Sequence, residues 1–420
     1  MNPATNDVGL PCVHCGLCLD TCPTYRVLGT EADSPRGRIY IMEDVDRGSL
    51  TLDAEVCEHL DGCLGCLACE TACPSGVSFG ERIERFRPVL RSQRRGARAL
   101  WRQAAARIGN GRFLLAAGMA VAALLDTVGL ARTRRRMPGL GLLPASARGA
   151  LSALRPPRSA RDRSTVPAPA EPRLRAAILT GCVADVLRPG ISDAAVDVLH
   201  RHGIEVVDVE GASCCGALAL HAGRHDEAVA RARASVARFA AAGVDVIVTT
   251  AAGCGAMMRG YDRLLPGDAD AAEVASRCRD VSEVVVEAGI EAAPGAVTGD
   301  VVYHDACHLK HAAGVVDAPR AVTAAATGRP PADLGDNSIC CGSAGSYNVD
   351  NEDMGRELGR RKAELVRASG ADVVTVGNIG CILQLERVLA LEGLEVSVRH
   401  PVELLAAAYR GERVGSDDPR

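Results

Sequence analysis

The sequence predicts a multidomain α/β protein in which a helical, cysteine-rich N-terminal unit precedes two copies of one α/β module. Three observations carry this. Eighteen cysteines fall in patterned sets along 420 residues. From about residue 175, β-branched apolar runs alternate with Ala-rich helical stretches, the pattern of βαβ units around a largely parallel sheet. The cysteines of that second half recur at a fixed interval, the mark of an internal repeat. Length alone gives room for two to four compact units. The hydrophobic fraction of 47% excludes wholesale disorder, and aromatics at only 3% leave the cores to Ala, Val, Leu and Ile. A net charge of −4 argues against a dedicated nucleic-acid binder.

The first residues, Met1 to Asp7, have neither a basic nor an apolar stretch and predict no secretory signal. A reduced, cytoplasmic setting follows as an expectation, with the cysteines serving as metal ligands, catalytic thiols or small buried apolar groups. No run reaches the roughly 18 to 20 apolar residues of a membrane span. The nearest, Phe113 to Leu125, is closed by Asp126 and reads as a buried helix.

Four zones follow from charge and composition. Residues 1–80 hold twelve acidic residues against four arginines and nine of the cysteines, whereas 81–136 reverse the balance with fourteen arginines against three acids. Prolines cluster over 155–175 and mark a linker. The expected domains are 1–90, 91–175 (a basic helical connector and linker), 176–298 and 299–412. In the third of these domains 176–179, 204–209 and 245–250 read as strands, and 192–202 and 225–242 as helices.

The N-terminal zone carries Cys12-x2-Cys15-x2-Cys18-x3-Cys22-Pro23 and repeats it as Cys63-x2-Cys66-x2-Cys69-x3-Cys73-Pro74. This is the spacing of [4Fe–4S] ligation in two-cluster proteins. Cysteines three apart in a tight turn bring three thiolates to three corners of one cube, and the proline sends the fourth across to the other. The general rule therefore puts Cys12, Cys15, Cys18 and Cys73 on one cluster and Cys63, Cys66, Cys69 and Cys22 on the second. Zinc knots are the competing reading, but zinc has little need of four cysteines and a trailing proline in duplicate. Ser34-Pro35 predicts a capped helix over 34–42, so the unit reads as an α-helical ferredoxin-like domain. Two thiolate-bound cubes need nearby cations, for which the arginine-rich 81–136 segment is a source. Cys57 and Cys278 read as spare buried thiols.

The repeated module places Cys182, Cys214, Cys215 and Cys254 against Cys307, Cys340, Cys341 and Cys381, at offsets of 125 to 127. Gly216 and Gly342 follow the adjacent pairs and permit a backbone that turns both thiols toward one centre. A metal beside such a pair would offset the repulsion of neighbouring thiolates.

The spacing from the first cysteine to Cys-Cys-Gly resembles the cysteine-rich (CCG) domain of the heterodisulfide-reductase family, which also occurs in respiratory glycerol-3-phosphate, lactate and glycolate dehydrogenase subunits. Cys63-Leu64-Gly65-Cys66 through Val77, Tyr303-His304-Asp305-Ala306-Cys307-His308, Cys340 to Asn348 and His400-Pro401-Val402-Glu403 together resemble the iron–sulfur subunits of bacterial glycolate oxidase (glycolate dehydrogenase). The resemblance implies a ferredoxin-like domain followed by two CCG domains. It also implies electron transfer from flavin-binding dehydrogenase subunits to a quinone or other membrane acceptor. The basic, partly apolar 91–136 stretch could press against an anionic membrane surface on the inner face of the cell membrane. Lactate or glycerol 3-phosphate as donor, and a thiol–disulfide enzyme, are the alternatives. Where the heterodisulfide reductases end the module in Cys-x2-Cys, Met257 and Gln384 stand here. Four thiols per repeat remain, enough for an iron–sulfur centre, a zinc site or a structural thiol cluster. His304, Asp305 and His308 are read as ligands, proton carriers or holders of their loop. No GxGxxG after a strand, no P-loop and no nucleophile–base arrangement is present, so no catalytic residue is assigned to this chain.

Overall fold

A computed structural model of the chain describes residues 12–93, 166–293, 299–336 and 339–415. The expected helix over 113–125, the segment 94–136 and most of the Pro-rich linker lie outside these residues. Among the described residues no helix is long and apolar enough to cross a membrane.

The N-terminal part is helical, as expected. Pro23 stands at the first turn of α1 (Pro23–Leu28), where its missing N–H is no loss, so the chain leaves Cys22 directly into a helix. Ser34 caps α2 (Pro35–Arg47) by accepting from the Gly37 amide at 3.0 Å. Asp53 caps α3 (Ala54–Asp61) in the same way through Val56 at 2.9 Å. The short α4 (Ala68–Thr71) and the longer α5 (Phe79–Gln93) complete the unit around Met42, Leu60, Ile83, Phe86 and Leu90. Cys57 is half-buried against this core.

Each repeat is a four-stranded, all-parallel sheet. The first runs in the order β2-β1-β3-β4, with β1 (Leu174–Leu179), β2 (Ile204–Val207), β3 (Val246–Thr249) and β4 (Cys278–Asp280). The second is β6-β5-β7-β8, with β5 (Val301–Tyr303), β6 (Ala332–Asp333), β7 (Val373–Thr375) and β8 (Ser397–Arg399). The identical order is what the cysteine register foretells. The expected strand 204–209 ends at Val207 because Val209 turns to accept from the Ala212 amide. The expected helices are found at Gly190–Arg201 and His225–Ala241. Cys278 is fully buried at the start of β4, and burial pushes its thiol up to about 12.

The two copies share one hydrophobic core. In the first copy, α7 (Gly190–Arg201) and α13 (Val281–Glu287) face the second; their counterparts there are α14 (Asp317–Thr327) and α18 (Pro401–Tyr409). α7 packs on α18 and α13 on α14, so the same pairing occurs in both directions. Arg188, only 5% exposed, closes this seam: it reaches Glu386 at 2.7 Å, Glu403 at 3.8 Å and the Val398 carbonyl at 3.2 Å.

Two outcomes are expected. Arg188→Met strands two carboxylates in the seam and lowers stability by about 3 kcal/mol, measured by urea unfolding of anaerobic protein. The second concerns His400, whose ring caps α18 by accepting from the Val402 amide at 3.2 Å. Burial holds its pKa down at about 4, so the fold retains the neutral ring. The stability this brings is complete above about 6.5, the free value, and is lost as pH falls toward 4, at about 1.4 kcal/mol per pH unit. His400→Asn keeps a capping side chain and flattens the slope of stability against pH by one proton between pH 6.5 and 5.

Candidate metal centres

The second cysteine run folds so that Cys63, Cys66 and Cys69 surround one cleft, and Cys22 from the first run lines it with them. Cys22, Cys63 and Cys66 are buried. Burial pushes the thiols of Cys66 and Cys69 well above their ordinary value, and the neighbouring thiols add to it. A set of sulfurs lining one dry cleft suits a cation that binds them as thiolates.

Polar groups for such a centre are in place. The Gly65 amide donates to Cys63 Sγ at 3.3 Å, and the buried guanidinium of Arg38 lies 4.0 Å from Cys22 Sγ. Arg38 is fixed by the His59 carbonyl at 2.7 Å and Thr24 Oγ1 at 3.0 Å. Arg87 donates to the Cys63 carbonyl at 3.2 Å. The cations at this cleft thus come from α2 and α5; Arg38 went unnoticed in the sequence because one of three arginines in an amphipathic helix resembles a solvated one.

The first run forms a loop on the surface. Cys15 is exposed, Cys12 and Cys18 are half-buried, and the Arg36 guanidinium anchors the loop through the His14 carbonyl at 3.1 Å. Cys73 packs with Cys12 against the same core.

In each repeat the cysteines follow β1, β2 and β3 or their counterparts β5, β6 and β7, outside the carboxyl ends of the strands where open α/β sheets place their sites. Gly216 and Gly342 have φ of 90° and 86°, and a Cβ at Gly342 would lie 2.7 Å from the Gly355 carbonyl oxygen. Both glycines thus adopt the left-handed backbone, and Cys215, Cys340 and Cys341 are buried while Cys214 is half-buried. In the second repeat the thiols form a hydrogen-bonded series from Cys307 through Cys340 and Cys341 to Cys381. The bond to Cys340, with burial, pushes the Cys307 thiol well up. His304, Cys341 and Cys381 offer ligand atoms within 4.8 Å of one another. Lys362, almost wholly buried, bonds to the Asp336 carbonyl at 2.7 Å and lies in the field of Cys340, Cys341 and Cys381.

The first repeat is arranged differently. Cys182 is hydrogen-bonded to Cys214 and Cys254 to Cys215, and Cys182, Cys214 and Cys254 are only half-buried. The bond from Cys182 draws Cys214 down to about 6, with Arg231 Nη1 at 3.4 Å from its sulfur contributing. Met257 and Gln384 are both buried. Gln384 spends its amide on the Gly355 carbonyl at 2.8 Å and on Asn348 at 2.9 Å, which holds the loop after Cys341.

The second repeat and the cleft of the first domain meet. Leu64, Cys66, Ala68, Ile339, Cys340, Tyr347 and Leu358 form one small core, with Cys307 packed against it. His308 reaches the Gly65 carbonyl at 3.1 Å and Tyr347 donates to the Gly62 carbonyl at 3.0 Å. His308 also stacks on His221 of the first repeat at 5.7 Å, and His221 bonds Glu84 of α5 at 2.8 Å. Of the three polar residues around Cys307, Asp305 holds its loop through Lys310 and Arg320, His308 joins domains, and His304 faces thiols.

Family models agree with this layout: a 4Fe-4S dicluster domain matches residues 10–77, and a cysteine-rich domain matches 176–259 and again 301–386. Fold and sites define an iron–sulfur electron-transfer protein, a dicluster domain carrying two [4Fe–4S] clusters joined to a duplicated cysteine-rich domain. The glycolate oxidase iron-sulfur subunit of Escherichia coli (strain K12) is 34% identical over 96% of this chain and 94% of its own length. The probable glycolate oxidase iron-sulfur subunit of Bacillus subtilis (strain 168) is 32% identical over 95% and 94%. The chain belongs to the family of glycolate oxidase iron–sulfur subunits. Lactate utilization protein A of Oceanobacillus iheyensis is 26% identical over 57% of this chain and 99% of its own.

In metal-free protein, Cys214 should be alkylated by iodoacetamide with a midpoint near pH 6. Cys182→Ala should move that midpoint toward the ordinary thiol value, read by peptide mapping across a pH series.

Proposed function

We propose that this chain is the electron-transferring subunit of a glycolate dehydrogenase, an oxidoreductase whose substrate and flavin sites are on partner subunits. Glycolate gives up two electrons and two protons to become glyoxylate. A flavin on the partner would supply these electrons to this chain, which would pass them to a quinone or another membrane-associated acceptor. Bound [4Fe–4S] clusters supply one-electron transfer, so the chain divides a two-electron delivery into single steps.

The observation that carries this reading is the convergence of Cys22 with Cys63, Cys66 and Cys69 on one cleft that abuts Cys307 and Cys340. Cys22, Cys63, Cys66 and Cys69 would hold one cluster, and Cys12, Cys15, Cys18 and Cys73 the other. Arg38 and Arg87 offset negative charge at the cleft, and the Gly65 amide steadies Cys63. Cys307, Cys340, Cys341 and Cys381, with His304 beside them, would hold a further iron–sulfur or zinc centre next to the cleft, with Lys362 as its counter-charge. Cys182, Cys214, Cys215 and Cys254 form the corresponding, more open site, with Arg231 in that part.

Lactate as the donor is the second reading, favoured by the similarity to lactate utilization protein A, which extends over little more than half of this chain. The purified complex separates the two: glycolate should bleach the iron–sulfur absorbance, and bleaching by lactate alone would reverse the assignment.

Anaerobically prepared protein should contain at least about eight irons with matching sulfide. Cys66→Ser should remove about four of them and one of two reduced-cluster signals in low-temperature paramagnetic resonance. An unchanged spectrum would refute the ligand assignment.

A further inference from the structure

The thiol sites differ sharply in how a second protein could reach them. Cys22, Cys63 and Cys66 are buried, and the second repeat covers their cleft. Cys340, Cys341 and Cys381 are buried as well. The loop of the first run is the reverse case. Cys15 is exposed, and the residues two before and two after it are large, apolar and open: Val13 is 69% and Leu17 59% exposed. His14 between them stacks on Tyr40 of α2 at 4.2 Å, and Tyr40 is itself 49% exposed. Among the described residues, four of the seven exposed large apolar side chains belong to this domain, and three of them border this loop.

Single exposed apolar residues are ordinary, but a group of them around one thiol is not. The surroundings are acidic. Asp20 is exposed at the end of the loop, and Glu43 and Asp44 stand one turn beyond Tyr40 with only Arg47 between them. Glu31 is matched by Arg36 at 2.6 Å, so the rim keeps a negative balance. An apolar centre with a charged rim is the anatomy of a protein interface, and the rim sets encounter rate and orientation.

We propose that the Val13–Leu17 loop with Tyr40 is the face on which the flavin-bearing partner subunit docks, and that this partner brings an apolar centre ringed by basic residues. The proposal rests on the reading of Cys12, Cys15, Cys18 and Cys73 as a cluster site. Electrons cross between proteins at this face, and the buried cleft and second repeat lie on the inner side of the route. The half-buried thiols of the first repeat have no such apolar border among the described residues in their own loops.

The test uses the complete complex, purified anaerobically. In Leu17→Glu/Tyr40→Glu, reduction of the clusters by glycolate should slow at least tenfold, while iron content and reduction by dithionite stay as in the wild type. Raising the salt should slow the wild-type reaction as well. An unchanged glycolate rate overturns the proposal. Should the double variant lose iron, Tyr40→Glu alone, on α2 and outside the run of ligands, is held to the same expectation. In a separate arm, benzoylphenylalanine in place of Tyr40 should cross-link to a flavin subunit, and the same group in place of Leu391, exposed on the second repeat, should not. Cross-linking to residues 1–11 or 94–136 of the same chain, to a second copy, or to nothing overturns the proposal. A complex that cross-links at position 40 yet is not reduced by glycolate rejects the donor and upholds the face.

Discussion

A thiolate cannot stay ionised in a dry interior unless positive charge shares its site, and that constraint orders this molecule. Burial alone pushes Cys66 and Cys69 far up. The chain answers by bringing cations to its sulfurs from within: Arg38 beside Cys22, Arg87 on the Cys63 carbonyl, Arg231 on Cys214, Lys362 among Cys340, Cys341 and Cys381. Each of these is held on its far side by a carbonyl, a hydroxyl or a carboxylate, so none swings free. Metal binding completes the balance, and the helices that carry the cations are thereby tied to the chemistry of the sulfurs.

The duplication supplied two equal sites that have become unequal. At matching positions the repeats keep strand order, cysteine placement and the left-handed glycine. They differ in where the cation comes from, because Arg231 corresponds to Glu357 and Lys362 to Val236 at the repeat offset of 126. They differ too in surroundings, the second set sealed against the N-terminal cleft and the first half open. Met257 and Gln384 show the same divergence. Both stand three residues after the last cysteine of their repeat, and Gln384 makes bonds to Gly355 and Asn348 that keep the second pocket in shape.

Much of this was legible in the residues. Cysteine spacing foretold the cluster motifs and the repeat; Ser34-Pro35 foretold the helical domain, and the apolar runs located elements to within a few residues. The glycines after the cysteine pairs announced a conformation that the backbone adopts. What could not be read was which distant groups meet. Nothing in the sequence near Gly65 names His308, and nothing near Cys66 names Cys340, because those contacts are made by the docking of whole domains. Arg38 and Lys362 escaped for a related reason: a charged residue on a helix declares its burial only when the facing surface is known. Asp305 and His308 offered three roles each to a reader of the sequence, and packing chose between them.

The seam around Arg188 bears on how such a chain could arise. At the same offset as the cysteines, Arg188 corresponds to Ala313 and Glu386 to Arg259. Arg259 reaches the Ala313 carbonyl at 3.5 Å, the reciprocal of Arg188 reaching Glu386. Two C-terminal halves brought together would face each other with Glu386 and Glu403 twice over and no guanidinium between. Two N-terminal halves would meet with arginines in excess. The seam is thus a handed match in which left and right are not interchangeable, and a single polypeptide gives every molecule one of each.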